Sequence, residues 1–186
     1  GSDLPIVFTG LHGTGAIAVP PALKAFGFRN VHEVASQAIP DGDFPSVSSP
    51  NPEEGPALAQ AVALAKEVGA SLVMGTDPDS DRVGLAVPNG ARGFVLLNGN
   101  ETAALLADHV LSKWQESGKL NRPSFLAKTV VTTNLLIDIA NDYGVDVKET
   151  LTGFKFIAEA IRQEEGKSQY VVGGEESYGY LVGDEV

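Results

Sequence analysis

Ser71-Leu72-Val73-Met74-Gly75-Thr76-Asp77-Pro78-Asp79-Ser80-Asp81-Arg82-Val83-Gly84-Leu85-Ala86-Val87 joins two short apolar runs through a loop that holds three aspartates. Upstream, Leu58, Val62, Ala65 and Val68 recur at helical spacing, so the segment from about Glu53 to Val68 predicts a helix with one buried stripe, stopped by Gly69. A strand over Ser71 to Met74 follows at once. The polar loop interrupts it, Val83 to Val87 resumes it, and Pro88-Asn89-Gly90 predicts a turn into a further strand near Phe94.

Working toward the N-terminus, Gly1-Ser2 has the look of an expression scar, and Pro5 to Thr9 reads as a buried strand ending at Gly10. Pro20-Pro21 suits a helix start and not a helix interior, so a short helix is expected from Pro20 to Phe26, before a strand over Val31 to Val34. Asp41 to Pro56, rich in Pro, Ser, Gly and Asp, is a surface loop. Toward the C-terminus the plan repeats, with helices over Asn100 to Glu116, Asn134 to Tyr143 and Phe154 to Glu165. The strands between and after them fall at Phe125 to Val131, Val145 to Val147 and Tyr170 to Val172. Strands alternating with helices imply mostly parallel sheets covered on both faces. The expected fold class is therefore α/β, as two tandem three-layer α/β/α units with mixed, mostly parallel sheets. The expected domains are residues 1–95 and 96–186, divided in the turn-rich stretch Asn89 to Gly99.

Composition narrows the function classes. With 43% hydrophobic and 20% charged residues, the chain has what a packed core needs. A formal charge of −11 and the lack of a Lys/Arg cluster argue against nucleic acid as a partner. No apolar run approaches the roughly 18 to 20 residues of a membrane span, and no signal peptide is evident. The absence of cysteine excludes thiolate metal sites and suits a cytoplasmic protein.

The chemistry concentrates in three places. Asp77, Asp79 and Asp81 follow a buried strand, where ligand sites of open α/β sheets gather. If they converge, each pair at about 4 Å costs roughly 4 kcal/mol at an effective dielectric of 20, so convergence demands a cation. Oxygen-only ligands select a hard ion, and Mg2+ is expected. Splayed, solvated carboxylates are the alternative. An EF-hand loop is excluded, because its sixth and twelfth places hold Arg82 and Pro88 where glycine and glutamate are required. A phosphatase with Asp77 as nucleophile stays open as a second enzyme reading.

Gly13-Thr14-Gly15-Ala16-Ile17-Ala18 fits a dinucleotide fingerprint, with Glu33 downstream. A nucleotide-binding module at Gly13 to Gly15 is thus the non-enzyme alternative, weakened by the two prolines expected to interrupt its helix. His12 in the same loop is a candidate base or a local hydrogen-bonding group.

Gly173-Gly174-Glu175-Glu176-Ser177-Tyr178-Gly179-Tyr180 is a glycine-hinged turn whose carboxylates and hydroxyls suit a hydroxyl-rich ligand, or else only a polar hairpin. Gly153-Phe154-Lys155 opens a helix after a strand, which places Lys155 as a candidate cation or proton donor.

Together these segments resemble the α-D-phosphohexomutase superfamily of phosphoglucomutases and phosphomannomutases, specifically its second and third domains. The resemblance implies that Asp77, Asp79 and Asp81 ligate Mg2+, with Arg82 beside the phosphoserine. It implies that Glu175 and Ser177, in a Gly-Glu-x-Ser loop, bind sugar hydroxyls, and that Gly153 and Phe154 of the neighbouring loop also bind substrate, beside the proton-shuttling Lys155. The substrate is then a phosphorylated hexose, the Tyr178-Gly179-Tyr180 ending being more similar to the phosphoglucomutases. In such enzymes a phosphoserine of the first domain phosphorylates the sugar phosphate, and a 1,6-bisphosphate intermediate turns over before the other phosphate returns to serine. Neither the family's Thr-x-Ser-His-Asn-Pro loop nor its Arg-x-Ser-Gly-Thr loop occurs in the sequence, and Ser49-Pro50-Asn51-Pro52 only superficially copies the former. The expectation is a fragment inactive by itself, lacking the first and fourth domains. Its third domain, stopping at Val186, is expected to lack a closing helix and so to expose an apolar face that favours a homodimer. The aspartate loop and the glutamate-serine turn are expected to face a shared cleft.

Overall fold

The computed structural model describes residues 3–90 and 93–183, and the expectations placed on Gly1-Ser2 and on the chain end at Val186 lie outside them. Packing divides the chain into two compact units, Gly1–Asn98 and Gly99–Val186.

In the first unit, strands β1 (Ile6–Thr9), β2 (Val31–Glu33), β3 (Leu72–Thr76), β4 (Val83–Pro88) and β5 (Phe94–Leu97) form one sheet in the order β2-β1-β3-β4-β5. β1 pairs in parallel with β2 and β3, while β3–β4 and β4–β5 are antiparallel. Every residue of β1 is buried, so both faces of the sheet centre are covered. Helix α1 (Gly15–Ala25) packs on β1 and β2, and α2 (Ala59–Val68) on β1 and β3. α2 buries Ala61 and Ala65 against Val7, Val73 and Ala86, and it ends at Gly69 in the left-handed conformation.

Two helix expectations need correction. α1 begins at Gly15 and runs through Pro20 and Pro21, so the prolines do not start the helix as expected. It is a poorly buried helix, with Ile17 70% exposed, so the two missing N–H groups fall on a largely solvent-facing element and not in a packed core. α2 starts at Ala59 and not near Glu53, because Asn51 accepts from the Glu53 N–H and tight turns close from Asn51 to Glu54 and from Glu54 to Ala57. The run after the aspartate loop is a separate strand, β4, that turns back along β3.

In the second unit, β6 (Ser124–Thr129), β7 (Asp146–Thr150), β8 (Gln169–Gly174) and β9 (Tyr180–Val182) form a sheet in the order β7-β6-β8-β9. β6 is parallel to β7 and β8, and β8 is antiparallel to β9. Side-chain alternation along β6 splits the core. Leu126 packs with residues of α3 (Gly99–Glu116) and α4 (Leu135–Asp142), whereas Phe125 and Ala127 pack with Ile157 of α5 (Phe154–Gln163) and with Tyr170. Helices thus cover both faces, the three-layer α/β/α arrangement expected of the sequence. No helix among the described residues is long and apolar enough to cross a membrane.

Candidate functional site

The first candidate centre lies at the carboxyl end of β3. The strand stops after Thr76 because the chain must turn back into β4, and Ser80, at a φ of +64°, makes that turn. The Ser80 N–H donates to the Asp77 carbonyl oxygen at 3.1 Å. Asp77 is buried, Asp79 and Asp81 are exposed, and one carboxylate oxygen from each lies within 4.8 Å of the others. Two oxygens on one octahedral Mg2+ stand about 3 to 4 Å apart, so seating all three on one ion would require only small side-chain rotations. The donor set is all oxygen and fits a hard cation.

The electrostatics of the loop match that fit. Burial pushes the Asp77 carboxyl up to about 6, aided by the Asp81 and Asp79 carboxylates and opposed by the Arg82 N–H donating to its Oδ1. Arg82 supplies local positive charge: its Nε lies 3.5 Å from Asp77 Oδ2 and 3.8 Å from Asp81 Oδ1, and its Nη1 donates to Glu53 Oε1 at 3.2 Å. Glu53, which holds Arg82, carries no sequence signal, being separated from it by the whole of α2.

The Gly13-Thr14-Gly15 loop packs directly on the aspartate loop, at Thr76, Pro78 and Ser80. The Thr14 N–H and Oγ1 both donate to the Pro78 carbonyl, at 2.8 and 3.1 Å. A Cβ on Gly13 would stand 2.2 Å from Pro78 Cα, and one on Gly15 would stand 2.2 Å from Thr76 Oγ1. The Pro78 backbone and the Thr76 and Ser80 hydroxyls therefore crowd the space by which a pyrophosphate would approach these glycines, so the fingerprint spacing serves loop packing. His12 is a hydrogen-bonding group beneath that loop. Its Nε2 lies 2.7 Å from Ser46 Oγ, its Nδ1 lies 3.4 Å from the Ile39 carbonyl, and the ring is 5% exposed. Fully buried Gln37 extends the network, accepting from Thr9 Oγ1 and donating to Ser46 Oγ.

In the second unit, β8 and β9 are joined by a turn whose ends close through the Glu175 N–H donating to the Gly179 carbonyl at 2.9 Å. Ser177 is exposed at its tip. Glu175 Oε1 accepts the Gly153 N–H at 2.6 Å, so the carboxylate caps the start of α5 and brings the Glu175 and Gly153 loops together. Gly153 adopts a φ of +113°, which disfavours any side chain there. Lys155 is exposed with Nζ 4.9 Å above the Phe156 ring, while Phe154 is partly buried against the Phe125 and Ile157 core. Sequence reasoning missed Lys128, fully buried on β6, and the Thr129 and Thr132 hydroxyls behind the turn. A lysine between the apolar runs Phe125-Leu126-Ala127 and Val130-Val131 was the available signal.

Comparison with known proteins places both units. Residues 1–90 match the family model of phosphoglucomutase/phosphomannomutase α/β/α domain II, and residues 98–186 match that of α/β/α domain III. A phosphoglucomutase of Staphylococcus epidermidis is 42% identical over 181 residues, covering 97% of this chain and 32% of that protein. The chain thus spans about a third of the length of the curated relatives it matches. A solved phosphoglucomutase/phosphomannomutase family protein of Burkholderia thailandensis shares the fold at a TM-score of 0.76 and 21% identity, covering 97% of this chain and 35% of that one. The N-acetylphosphoglucosamine mutase of Aspergillus fumigatus, solved in complex with GlcNAc-6P and magnesium, does so at a TM-score of 0.67 and 14% identity, covering 99% and 38%.

Proposed function

Given that the chain belongs to the phosphoglucomutase/phosphomannomutase family, whose second and third α/β/α domains it carries, we propose that it is the central part of a longer, cytoplasmic phosphohexomutase. That enzyme interconverts hexose 1-phosphate and hexose 6-phosphate through a phosphoserine and a 1,6-bisphosphate, and glucose is its sugar. The phosphoglucomutase names of the relatives and the Tyr178-Gly179-Tyr180 ending support glucose.

The convergence of Asp77, Asp79 and Asp81 at the end of β3 carries the reading. These residues hold Mg2+, as the magnesium complex of the A. fumigatus mutase also suggests. Bound there, the ion supplies positive charge toward a phosphoryl group in flight. Arg82 adds a guanidinium beside the same carboxylates and orients Asp77 through its N–H and Nε. Glu175 keeps one carboxylate oxygen on Gly153 and offers the other to a sugar hydroxyl, and the exposed Ser177 hydroxyl offers a second contact. Gly153 and Phe154 hold the start of α5, from which exposed Lys155 serves as cation and proton donor. The 186 residues contain no serine loop of the family's pattern, so turnover requires the first and fourth domains.

The test is glucose 1-phosphate conversion by the complete enzyme in Mg2+, with Asp79→Ala beside it. Wild-type enzyme is expected to form glucose 6-phosphate, and the variant to lose at least about a hundredfold in kcat/KM, comparable to loss of other charge-stabilising groups. Failure of the wild type to interconvert hexose phosphates, or full activity in the variant, would sink the reading.

A further inference from the structure

We propose that Glu176 is a positioning residue, whose carboxylate, held by the buried Thr132 hydroxyl with that of Thr129 behind it, fixes the turn that presents Glu175 and Ser177; this rests on the reading of that turn as the sugar-recognition loop. Glu176 Oε2 accepts from Thr132 Oγ1 at 2.8 Å and lies 3.3 Å from Thr129 Oγ1, and the Glu176 N–H donates to Thr132 Oγ1 at 3.3 Å. The two hydroxyls are themselves 2.7 Å apart, and Thr129 and Thr132 are 0% and 2% exposed. One proton arrangement satisfies the group: Thr129 donates to Thr132, Thr132 donates to the carboxylate, and Thr132 accepts the Glu176 N–H.

The threonines rest on a fixed base. Lys128, fully buried, donates from Nζ to the Thr129 and Thr132 carbonyls at 3.1 and 3.0 Å and to Glu149 Oε2 at 2.8 Å. On its other side the turn meets the first residue of α3, where a Cβ on Gly99 would collide with the Glu176 carbonyl oxygen. The turn also holds Tyr178 at a φ of +71°, a conformation that persists only when its surroundings over-determine it. Glu176 thus points inward to a rigid polar base while Ser177 faces out. Recognition of hydroxyls needs that outward geometry held to within about 0.5 Å.

The complete enzyme provides the test. Glu176→Ala is expected to raise the KM for glucose 1-phosphate about tenfold, with kcat changed far less. Glu176→Gln, whose amide oxygen still accepts from Thr132, is expected to recover most of that loss. Thr132→Val should raise KM similarly, and the double variant should be no worse than either single change, because both remove one clamp. Additive effects, or a KM left at the wild-type value while kcat falls with the folded fraction, would overturn the proposal. If Glu176→Ala does not fold, Thr132→Val against Thr132→Ser and Glu176→Gln makes the same comparison. An enzyme with normal turnover and an unmoved KM removes this inference alone, whereas a wild type inactive on hexose phosphates removes the proposed function with it.

Discussion

Replacing Gly13 by alanine probes the support of the proposed metal loop with a single methyl group. The added Cβ would lie 2.2 Å from Pro78 Cα, 2.5 Å from its carbonyl oxygen and 2.7 Å from its carbonyl carbon, where ordinary contact begins at 3.4 Å. Each of these atoms is backbone, so no side chain can rotate away, and Pro78 must retreat by more than an ångström. Overpacking of this kind costs about 1 to 3 kcal/mol. In a unit of this size each kcal/mol lowers Tm by about 4 to 8 °C, so a fall on the order of 10 °C is expected. Pro78 lies between two of the three carboxylates, and metal ligands tolerate displacements of only about 0.2 Å. The stabilisation by Mg2+ should therefore shrink as well, because it scales with the logarithm of ligand concentration over Kd. Thermal melts with and without Mg2+ measure both effects. Gly42→Ala is the control, since a Cβ there meets nothing within 4 Å. If Gly13→Ala melts with the control and keeps its Mg2+ response, the glycine loop does not brace the ligands.

The raised Asp77 carboxyl sets a pH dependence. With a folded value near 6 against an ordinary 3.8, the folded chain binds the extra proton, so metal-free stability falls as pH rises from about 4 to about 6 and then levels off. Denaturant melts across that window should show this decline relative to Asp77→Asn, and a relative rise would refute it. Lys155→Ala should separate stability from turnover, because the side chain is exposed and touches only the Phe156 ring among the contacts described. Unfolding free energy is expected to move by less than about 1 kcal/mol. Turnover of the complete enzyme is expected to fall about a hundredfold or more, and kcat within twofold of wild type would exclude Lys155 as proton donor.

Element type was legible wherever periodicity and a stop signal coincided, as in the stripe ending at Gly69 or the strand ending before Asp77. Boundaries failed where local hydrogen bonds outweighed the apolar pattern. The Asn51 turn held back the start of α2, and Thr132, donating its N–H to the Thr129 carbonyl, ended β6 before Val130 and Val131, each 55% exposed. The proline argument failed for another reason. α1 is so little buried that the two lost helical bonds fall on an exposed element, a circumstance invisible to a rule about helix interiors. The decoy fingerprint was then dismissed by contact: what excludes a nucleotide is Pro78 against Gly13, not a broken helix.

The groups proposed to carry the chemistry could be singled out because they are adjacent in sequence: three aspartates within five residues, and Glu175 with Ser177 in one turn. Their supports could not, because supports are long-range. Glu53 reaches Arg82 across 29 positions, Thr14 reaches the Pro78 carbonyl across 64, and Thr132 reaches Glu176 across 44. Each unit nonetheless adopts the same physical solution. A loop at the carboxyl end of the strands exposes charged groups to solvent, while buried polar side chains beneath it, Gln37 and His12 in one unit and Lys128 and Thr129 in the other, satisfy one another. Such a base pairs its own polar groups, although Thr76 Oγ1 at the end of β3 stays without a partner among the described residues, and it leaves the loop little freedom to relax. It follows that substitutions in these bases should act on the loops above them, changing metal or sugar affinity without touching either ligand.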